Sequence, residues 1–207
     1  MFNVITVSRE CGSGGGTIAE MVAQRLGWKL VDKSLVAEVA KRAQIDAEKA
    51  ARFLESPDPW FHSLVKGLWR GGYEGVASRM DTDVIDSEGM ARIGAEVIRE
   101  AASLGRCIIV GRGSQCVLRH REGVFHVSIF GPRVQKIRRL RERLVPGTNV
   151  ERTMEETDRQ RAAYVRQFYD ADWKNRELYH LVISSVLGLE TVTETVLSAA
   201  GLRPHTS

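Results

Sequence analysis

Residues 3–26 read NVITVSRECGSGGGTIAEMVAQRL and contain three patterns in succession. Residues 3–8 are mainly β-branched, which predicts a short buried strand. Residues 18–26 carry apolar side chains at helical spacing, and Gly27 is a typical helix stop. The glycine-rich loop at residues 12–17 therefore lies between a strand and a helix N-terminus. Backbone N–H groups and the helix dipole favour an anion at such a place.

This loop is a candidate phosphate cradle whose residues are Gly12, Ser13, Gly14, Gly15, Gly16 and Thr17. Glycines let the chain curl around a phosphate without Cβ clashes, and Thr17 falls where a phosphate-loop hydroxyl would meet Mg²⁺. The pattern G-x-x-x-x-G-K-[ST] is incomplete here, because its Lys position holds Gly16 or, with a Gly after the Lys, Gly15. Residues 1–28 contain no Lys. The alternative to a phosphate site is a plain glycine turn.

The composition is that of an ordinary globular protein. The chain has 207 residues, of which 43% are hydrophobic and 27% charged, so we expect a single domain. No apolar run is long enough for a transmembrane helix, and the N-terminus has no secretory signal pattern. The three cysteines lack metal-ligand spacing, which favours reduced thiols and a cytoplasmic location.

Positive charge is concentrated in residues 133–166, which hold 10 basic and 5 acidic residues, whereas the whole chain has a net charge of +4. Such a surplus suits a polyphosphate substrate or a nucleic acid, although a solvated helix face explains most runs of this kind. Because few aromatic residues lie among these basic residues, we do not expect a nucleic-acid partner.

Strand-like and helix-like segments alternate along the chain, which predicts an α/β fold with a parallel sheet covered on both faces. The predicted strands are residues 3–8, 29–31, 106–110, 124–130 and 179–184. The predicted helices are residues 17–26, 33–42, 47–54, 88–104, 133–144, 151–169 and 190–200. Asn149 is a residue type that favours the N-cap of the helix at 151–169. Residues 56–86 break the alternation, and their prolines and tryptophans suit a substrate flap, a structural wrap or a homodimer contact.

Ligands of parallel sheets bind beyond the carboxyl ends of the strands. Arg112 lies between two glycines just after the predicted strand 106–110, where its guanidinium can bind a phosphate with two hydrogen bonds. The alternative is a surface arginine in a turn. Asp32, beside Lys33, follows the second predicted strand. Its carboxylate could orient a substrate hydroxyl, a metal-bound water or a base, or could simply cap the next helix.

The predicted helix 151–169 carries three candidate arginines, Arg159, Arg161 and Arg166. Arginines on a mobile helix can close over a transferred phosphoryl group and neutralise its developing charge. Asp158 and Arg161 are three residues apart and share one face, so an ion pair on a solvated helix is the alternative.

Several motifs occur in one order along the chain. They are ITVSRE at 5–10, GSGG at 12–15, VDK at 31–33, IVGRG at 109–113, DRQR at 158–161 with Tyr164, DW at 172–173 and YHLVI at 179–183. With these motifs the chain resembles the cytidylate kinase-like proteins, relatives of bacterial cytidylate kinase within the P-loop nucleoside monophosphate kinases. The resemblance covers nearly the whole chain.

The resemblance implies one three-layer P-loop kinase-like domain over residues 1–207, with a five-stranded parallel sheet. It also implies a helical insert that binds a nucleoside monophosphate near residues 56–86 and an arginine lid near residues 145–170. The implied reaction is transfer of the γ-phosphoryl group from ATP to CMP or dCMP with Mg²⁺. The partners are then small-molecule nucleotides.

Site residues are carried over from the family by position. Residues 12–17 and Arg159 would bind ATP, with Thr17 toward the metal, and Asp32, Lys33 and Arg112 would face the monophosphate. Arg161, with Arg159 or Arg166, would form the lid, and the catalytic cations would include Arg112, Arg161 and Arg166. Arg9 joins these cations as a candidate substitute for one that the family has and this chain lacks.

Three positions depart from true cytidylate kinases. Gly15 stands in place of a Lys, Ser8 in place of an Asp, and Gly113 in place of a carboxylate. Arg9, Lys33 or Arg112 could supply the missing cation. We therefore expect a nucleoside monophosphate kinase-like phosphotransferase, and the alternative is a weak or inactive nucleotide-binding sensor or regulatory module.

Overall fold

The computed structural model of the protein describes residues 1–32 and 87–203. Several sequence predictions lie outside the described residues. They are the helices at 33–42 and 47–54, the insert at 56–86 and the substrate-binding role of Lys33.

The chain divides into two compact units. The first contains Met1–Asp32 and Ile98–Ser207, and the second contains Lys33–Val97. The described part of the second unit, residues 87–97, is helical. The sheet and the glycine-rich loop both belong to the first unit.

The described residues form one sheet of five parallel strands. The strands are β1 (Val4–Arg9), β2 (Lys29–Val31), β3 (Cys107–Val110), β4 (Val124–Phe130) and β5 (Leu181–Ser184). Their order in the sheet is β2-β3-β1-β4-β5. β1 lies at the centre, where Val4 is paired with Cys107 of β3 on one side and with Val124 of β4 on the other. The α/β class and the five-stranded parallel sheet are thus confirmed.

The last strand begins two residues later than the sequence predicts. A 3-10 turn at Arg176–Leu178 precedes it, and the Tyr179 amide donates to the Arg176 carbonyl at 3.1 Å. Pairing with β4 starts only at Leu181, opposite Val127. Leu178 is buried within this turn, so an apolar residue precedes the paired residues without belonging to the strand.

Six α-helices occur within the described ranges, and none of them is long and apolar enough to span a membrane. The helices are α1 (Gly15–Leu26), α2 (Ser87–Leu104), α3 (Ser114–Val117), α4 (Arg133–Arg141), α5 (Val150–Tyr169) and α6 (Leu189–Ala199). The short α3 was not predicted, because four residues are too few for a helical period to be visible. The predicted cap of α5 is confirmed, since the Asn149 side chain accepts from the Arg152 amide at 3.0 Å.

One face of the sheet packs against α1 and α6. Ile5 and Val7 alternate onto this face from β1 and meet Val22 of α1 and Val196 of α6, all at 0–1% exposure. Burial of each such side chain stabilises the fold by about 1.5–3 kcal/mol. This core fixes the position of the α1 N-terminus relative to the carboxyl end of β1, and thereby positions the glycine-rich loop.

The opposite face carries a buried polar cluster. Thr6 of β1 lies beside His126 of β4, with Thr6 Oγ1 2.7 Å from His126 Nδ1. The His126 amide donates to His180 Nδ1 at 2.9 Å, and its ring hydrogen-bonds to the Leu118 backbone. Burial, and secondarily the charge of His180, lowers the pKa of His126 to about 4, so its ring is neutral near pH 7.

Candidate active site

The glycine-rich loop turns directly into α1. Gly14 has φ +84° and caps the helix in the left-handed conformation, and the first intrahelical bond runs from the Ile18 amide to the Gly14 carbonyl at 3.0 Å. The amides of Gly15, Gly16 and Thr17 precede that bond, so they have no carbonyl one turn earlier in the helix. They form the open positive end of a helix of 12 residues.

Ser13 supplies a second indication that the loop receives a ligand. Its side chain is fully buried, and its hydroxyl has no hydrogen-bond partner among the described residues. This oxygen lies 3.5 Å from the place that a Cβ on Gly15 would take. Buried hydroxyls are normally paired, so an anion held at the helix N-terminus would satisfy this group. The predicted phosphate cradle therefore fits the geometry.

Not every amide of the loop faces such a ligand. The Cys11 amide donates to Asp158 Oδ1 at 2.7 Å, and the Ser13 amide donates to the Glu10 carbonyl at 3.2 Å. The cradle therefore begins after Ser13 and consists of the first turn of α1.

Glu10 joins the loop to the segment between β4 and α4. Its Oε2 accepts from Lys136 Nζ at 2.8 Å and from the Gly131 amide at 3.3 Å. Lys136 is 9% exposed, so it serves as the partner of this carboxylate. The pair holds the carboxyl end of β1 against the start of α4.

The side chain of Arg9 extends from the glycine-rich loop to the end of β3. A Cβ placed on Gly15 would lie 2.5 Å from Arg9 Cβ and 3.1 Å from Arg9 Cγ. A Cβ on Gly111, which has φ +71°, would clash with Arg9 Nη1. The aliphatic stem of Arg9 thus covers Gly15, and its guanidinium lies against Gly111.

Arg112 follows Gly111 at the same edge of the sheet. It is half-buried with φ +60°, and its charge acts on Tyr164 of α5, although burial dominates and raises the pKa of that phenol. The structure therefore brings two predicted cations, Arg9 and Arg112, to one edge. A Cβ on Gly113 would clash with the Tyr169 ring, so this ring excludes any side chain at position 113.

Two of the predicted residues on α5 hold the loop. Asp158 accepts from the Cys11 amide and, at 3.3 Å, from Arg161 Nη1, which also donates to the Arg9 carbonyl at 2.9 Å. Burial raises the pKa of Asp158, while the Cys11 amide and Arg161 act in the opposite direction. The ion pair proposed as the alternative is present, but it lies against the loop and not on a solvated face.

The other two candidate arginines of α5 are exposed, and Arg166 lies in the last turn of the helix. Arg159 lines a cavity of about 350 Å³ beside the loop. Charged groups of both signs surround this cavity, and Trp173 forms an aromatic wall. Its charged lining residues are Glu10, Arg133, Lys136, Glu155, Asp158, Arg159 and Lys174.

Sequence reasoning missed two arginines, Arg139 of α4 and Arg143 in the turn that follows it. Arg139 Nη1 donates to the Ser13 carbonyl and to Ser185 Oγ, both at 3.1 Å, and Arg143 Nη2 donates to Thr17 Oγ1 at 3.1 Å. Both belong to the predicted helix 133–144 and are four residues apart, a spacing that could have separated them from the solvated arginines of the same run. Thr17, the predicted metal ligand, accepts a hydrogen bond from one of them.

Asp32 is half-buried and directly follows β2. No group of three or more His, Cys, Asp or Glu side chains within residues 1–32 and 87–203 is arranged to hold a metal ion.

Comparisons with known proteins show the family and the fold of the chain. The model of the cytidylate kinase-like family matches residues 4–186. An uncharacterized protein from Eubacterium ventriosum has a TM-score of 0.68 at 20% identity, with 97% of this chain and 99% of that chain covered. No curated protein matches the sequence.

Two kinases of known structure share the fold. Shikimate kinase from Bacteroides thetaiotaomicron has a TM-score of 0.54 at 15% identity, with 96% of this chain and 98% of that chain covered. A gluconokinase from Sinorhizobium meliloti has a TM-score of 0.52 at 13% identity, with 96% and 91% covered. The P-loop kinase fold predicted for the chain is thus confirmed.

Proposed function

Because the chain belongs to the cytidylate kinase-like family, we propose that it transfers the γ-phosphoryl group of ATP to CMP, dCMP or a related acceptor. The observation that supports this most directly is the buried, unsatisfied Ser13 hydroxyl beside the open N-terminus of α1. Arg9, Arg139 and Arg143 lie around the same loop. A polyphosphate matches both the donors and the charge.

The loop binds the phosphates of ATP in this proposal. The amides of Gly15, Gly16 and Thr17 and the Ser13 hydroxyl donate to phosphate oxygens, while Gly12 and Gly14 allow the backbone to approach. Thr17 Oγ1 is the protein oxygen offered to Mg²⁺, and Arg143 must then release or share it. Mg²⁺ bound with ATP neutralises charge on the phosphates. Arg159 borders the cavity beside the loop, where it contacts ATP.

Phosphoryl transfer requires positioning and neutralisation of charge. An oxygen of the acceptor forms a bond to the γ-phosphorus as the bond to the bridging oxygen breaks, and the electron pair leaves with ADP. Asp32, Lys33 and Arg112 hold the acceptor in this scheme. Arg9, Arg112, Arg161 and Arg166 supply positive charge to the transferred oxygens, and α5 is the arginine lid.

The proposal also covers the partners, the location and the domain organisation of the chain. The partners are small nucleotides in the cytoplasm, and a homodimer contact through residues 56–86 belongs to the proposal as well. The whole chain, residues 1–207, acts as one kinase domain, with residues 56–86 over the acceptor base and residues 145–170 as the lid.

The reaction is tested by measuring ADP release over a panel of nucleoside monophosphates and small hydroxylated acceptors, with and without Mg²⁺. We expect Mg²⁺-dependent turnover with one acceptor. Arg112→Ala should reduce kcat by about 10²–10³, as loss of one transition-state donor does. Arg119→Ala, at an exposed position after α3, is the matched control and should retain turnover.

A nucleotide-binding module without catalysis is the second candidate. It is favoured by Gly15, which leaves the Lys position without a side chain, and by the Cys11 amide, which Asp158 already occupies. This module would be stabilised by ATP but would release no ADP with any acceptor of the panel. That pair of results would replace the kinase proposal.

A further inference from the structure

The loop lacks the Lys of the phosphate-loop pattern, and the structure indicates where its replacement comes from. In G-x-x-x-x-G-K-[ST] the first Gly precedes the Lys by about six positions. With the Lys position at Gly15, the first Gly position falls on Arg9. We infer that these two positions have exchanged roles, so that Arg9 reaches from the end of β1 and provides the phosphate-binding cation that a Lys at position 15 would provide.

The contact at Gly15 is the first support. Gly15 is the first residue of α1, and a Cβ there would lie 2.5 Å from Arg9 Cβ, a separation that real Cβ atoms do not show. The stem of Arg9 therefore excludes any side chain at position 15. At the next position the situation is different, because a Cβ on Gly16 would have no heavy atom of the described chain within 4 Å beyond its neighbours.

The contact at Gly111 is the second support. The Arg9 guanidinium lies so close to Gly111 that a Cβ would overlap Nη1. Gly111 directly precedes Arg112, which faces the acceptor in the proposed reaction. The guanidinium thus lies between the donor loop and the acceptor edge, which is where the transferred group must pass.

The backbone of Arg9 is also held in place. Its carbonyl accepts from Arg161 Nη1 at 2.9 Å, and the next peptide is tied to α5 because the Cys11 amide donates to Asp158. A guanidinium so anchored presents a planar fork that can bind two phosphate oxygens at once. A Lys would offer a single ammonium at the same place.

The inference rests on the proposed function for its catalytic part, but phosphate binding can be measured without turnover. Inorganic tripolyphosphate is the probe, and its affinity is measured by calorimetry alongside ADP release. Arg9→Ala should weaken tripolyphosphate binding about 10–100-fold, as expected for charged hydrogen bonds of about 1.5–3 kcal/mol. Arg203→Ala, which removes an exposed charge after α6, should bind like the wild type.

The exchange itself is tested with Arg9→Gly, Gly15→Lys and the two together. Gly15→Lys alone should lose tripolyphosphate affinity, because the new side chain collides with Arg9. The double variant should bind at least ten times more tightly than Arg9→Gly. Arg9→Gly with Gly16→Lys is the matched control, and it should not recover affinity, because a Cβ at position 16 would not contact Arg9, whereas one at position 15 would.

The outcomes separate the two proposals. Tripolyphosphate binding that is unchanged within twofold in Arg9→Ala overturns the inference, as does a double variant with native circular dichroism that binds no better than Arg9→Gly. Loss and recovery of binding as described uphold it even if no acceptor yields ADP. In that case only the proposed kinase activity fails.

Discussion

A neutral histidine in the middle of a sheet makes folding sensitive to acid. His126 is 4% exposed and hydrogen-bonded to Thr6, and the pKa of its ring is lowered to about 4 by burial. The unfolded chain titrates this group near pH 6.5. Between these values the unfolded state binds a proton that the folded state does not, so the free energy of unfolding falls as the pH falls.

We predict that His126 alone contributes a loss of about 2 kcal/mol in the free energy of unfolding between pH 7.5 and pH 5, at about 1.4 kcal/mol per pH unit below 6.5. Urea denaturation of the wild type and of His126→Gln at both pH values measures this contribution. The variant should lose about 2 kcal/mol less than the wild type. His120→Gln, at an exposed position, should behave as the wild type, and equal losses in all three proteins would contradict the assignment.

At the level of elements, α4, the turn after it and α5 all contact the loop. α4 contributes Arg139, the turn contributes Arg143, and α5 contributes Asp158 and Arg161. The sequence alone could not predict these contacts, because the loop is more than 100 residues from either helix along the chain. No local sequence pattern indicates which distant residues lie against it. By contrast, the Asn149 cap was predicted because capping involves residues three apart.

Arg139 and Arg143 should support phosphate binding as a pair. In Arg139→Ala and Arg143→Ala we expect ATP affinity to fall about 10-fold each, because each removes a charged donor beside the loop. Arg138→Ala is the control on the same helix, since its side chain is exposed and one residue removed from the facing surface. Calorimetric titration with ATP measures the three affinities, and equal losses in all three variants would indicate a general charge effect.

At the level of the whole molecule, sequence alternation alone predicted a parallel sheet and most element bounds, while the order of the strands required long-range pairing. β1 is first in the chain but central in the sheet, between β3 and β4. Apolar runs such as Cys107–Val110 indicate that a strand is buried, but they do not indicate which strand it pairs with. The family resemblance predicted the fold. It could not predict where the Arg9 side chain lies, because Arg9 occupies a position at which the phosphate-loop pattern has Gly.

Binding of ATP should stabilise the entire first unit, because the loop lies at the junction of the central strand and a core helix. At about 100 times Kd, a ligand adds about 2.7 kcal/mol, which for a chain of this size corresponds to a rise of roughly 5–11 °C in Tm. Thermal unfolding with ATP and with adenosine tests this. Adenosine lacks the phosphates and should give a small rise, so equal shifts for both would place binding away from the loop.

The tie between α5 and the loop sets a condition on any transplanted lid. Asp158 and Arg161 reach the loop through its own backbone, at the Cys11 amide and the Arg9 carbonyl. A donor helix grafted from another kinase would have to bring an acid and an arginine at the same spacing, or it would leave one peptide group of the loop without an acceptor and another without a donor. Lid and loop are therefore exchangeable as one cassette and not as separate parts.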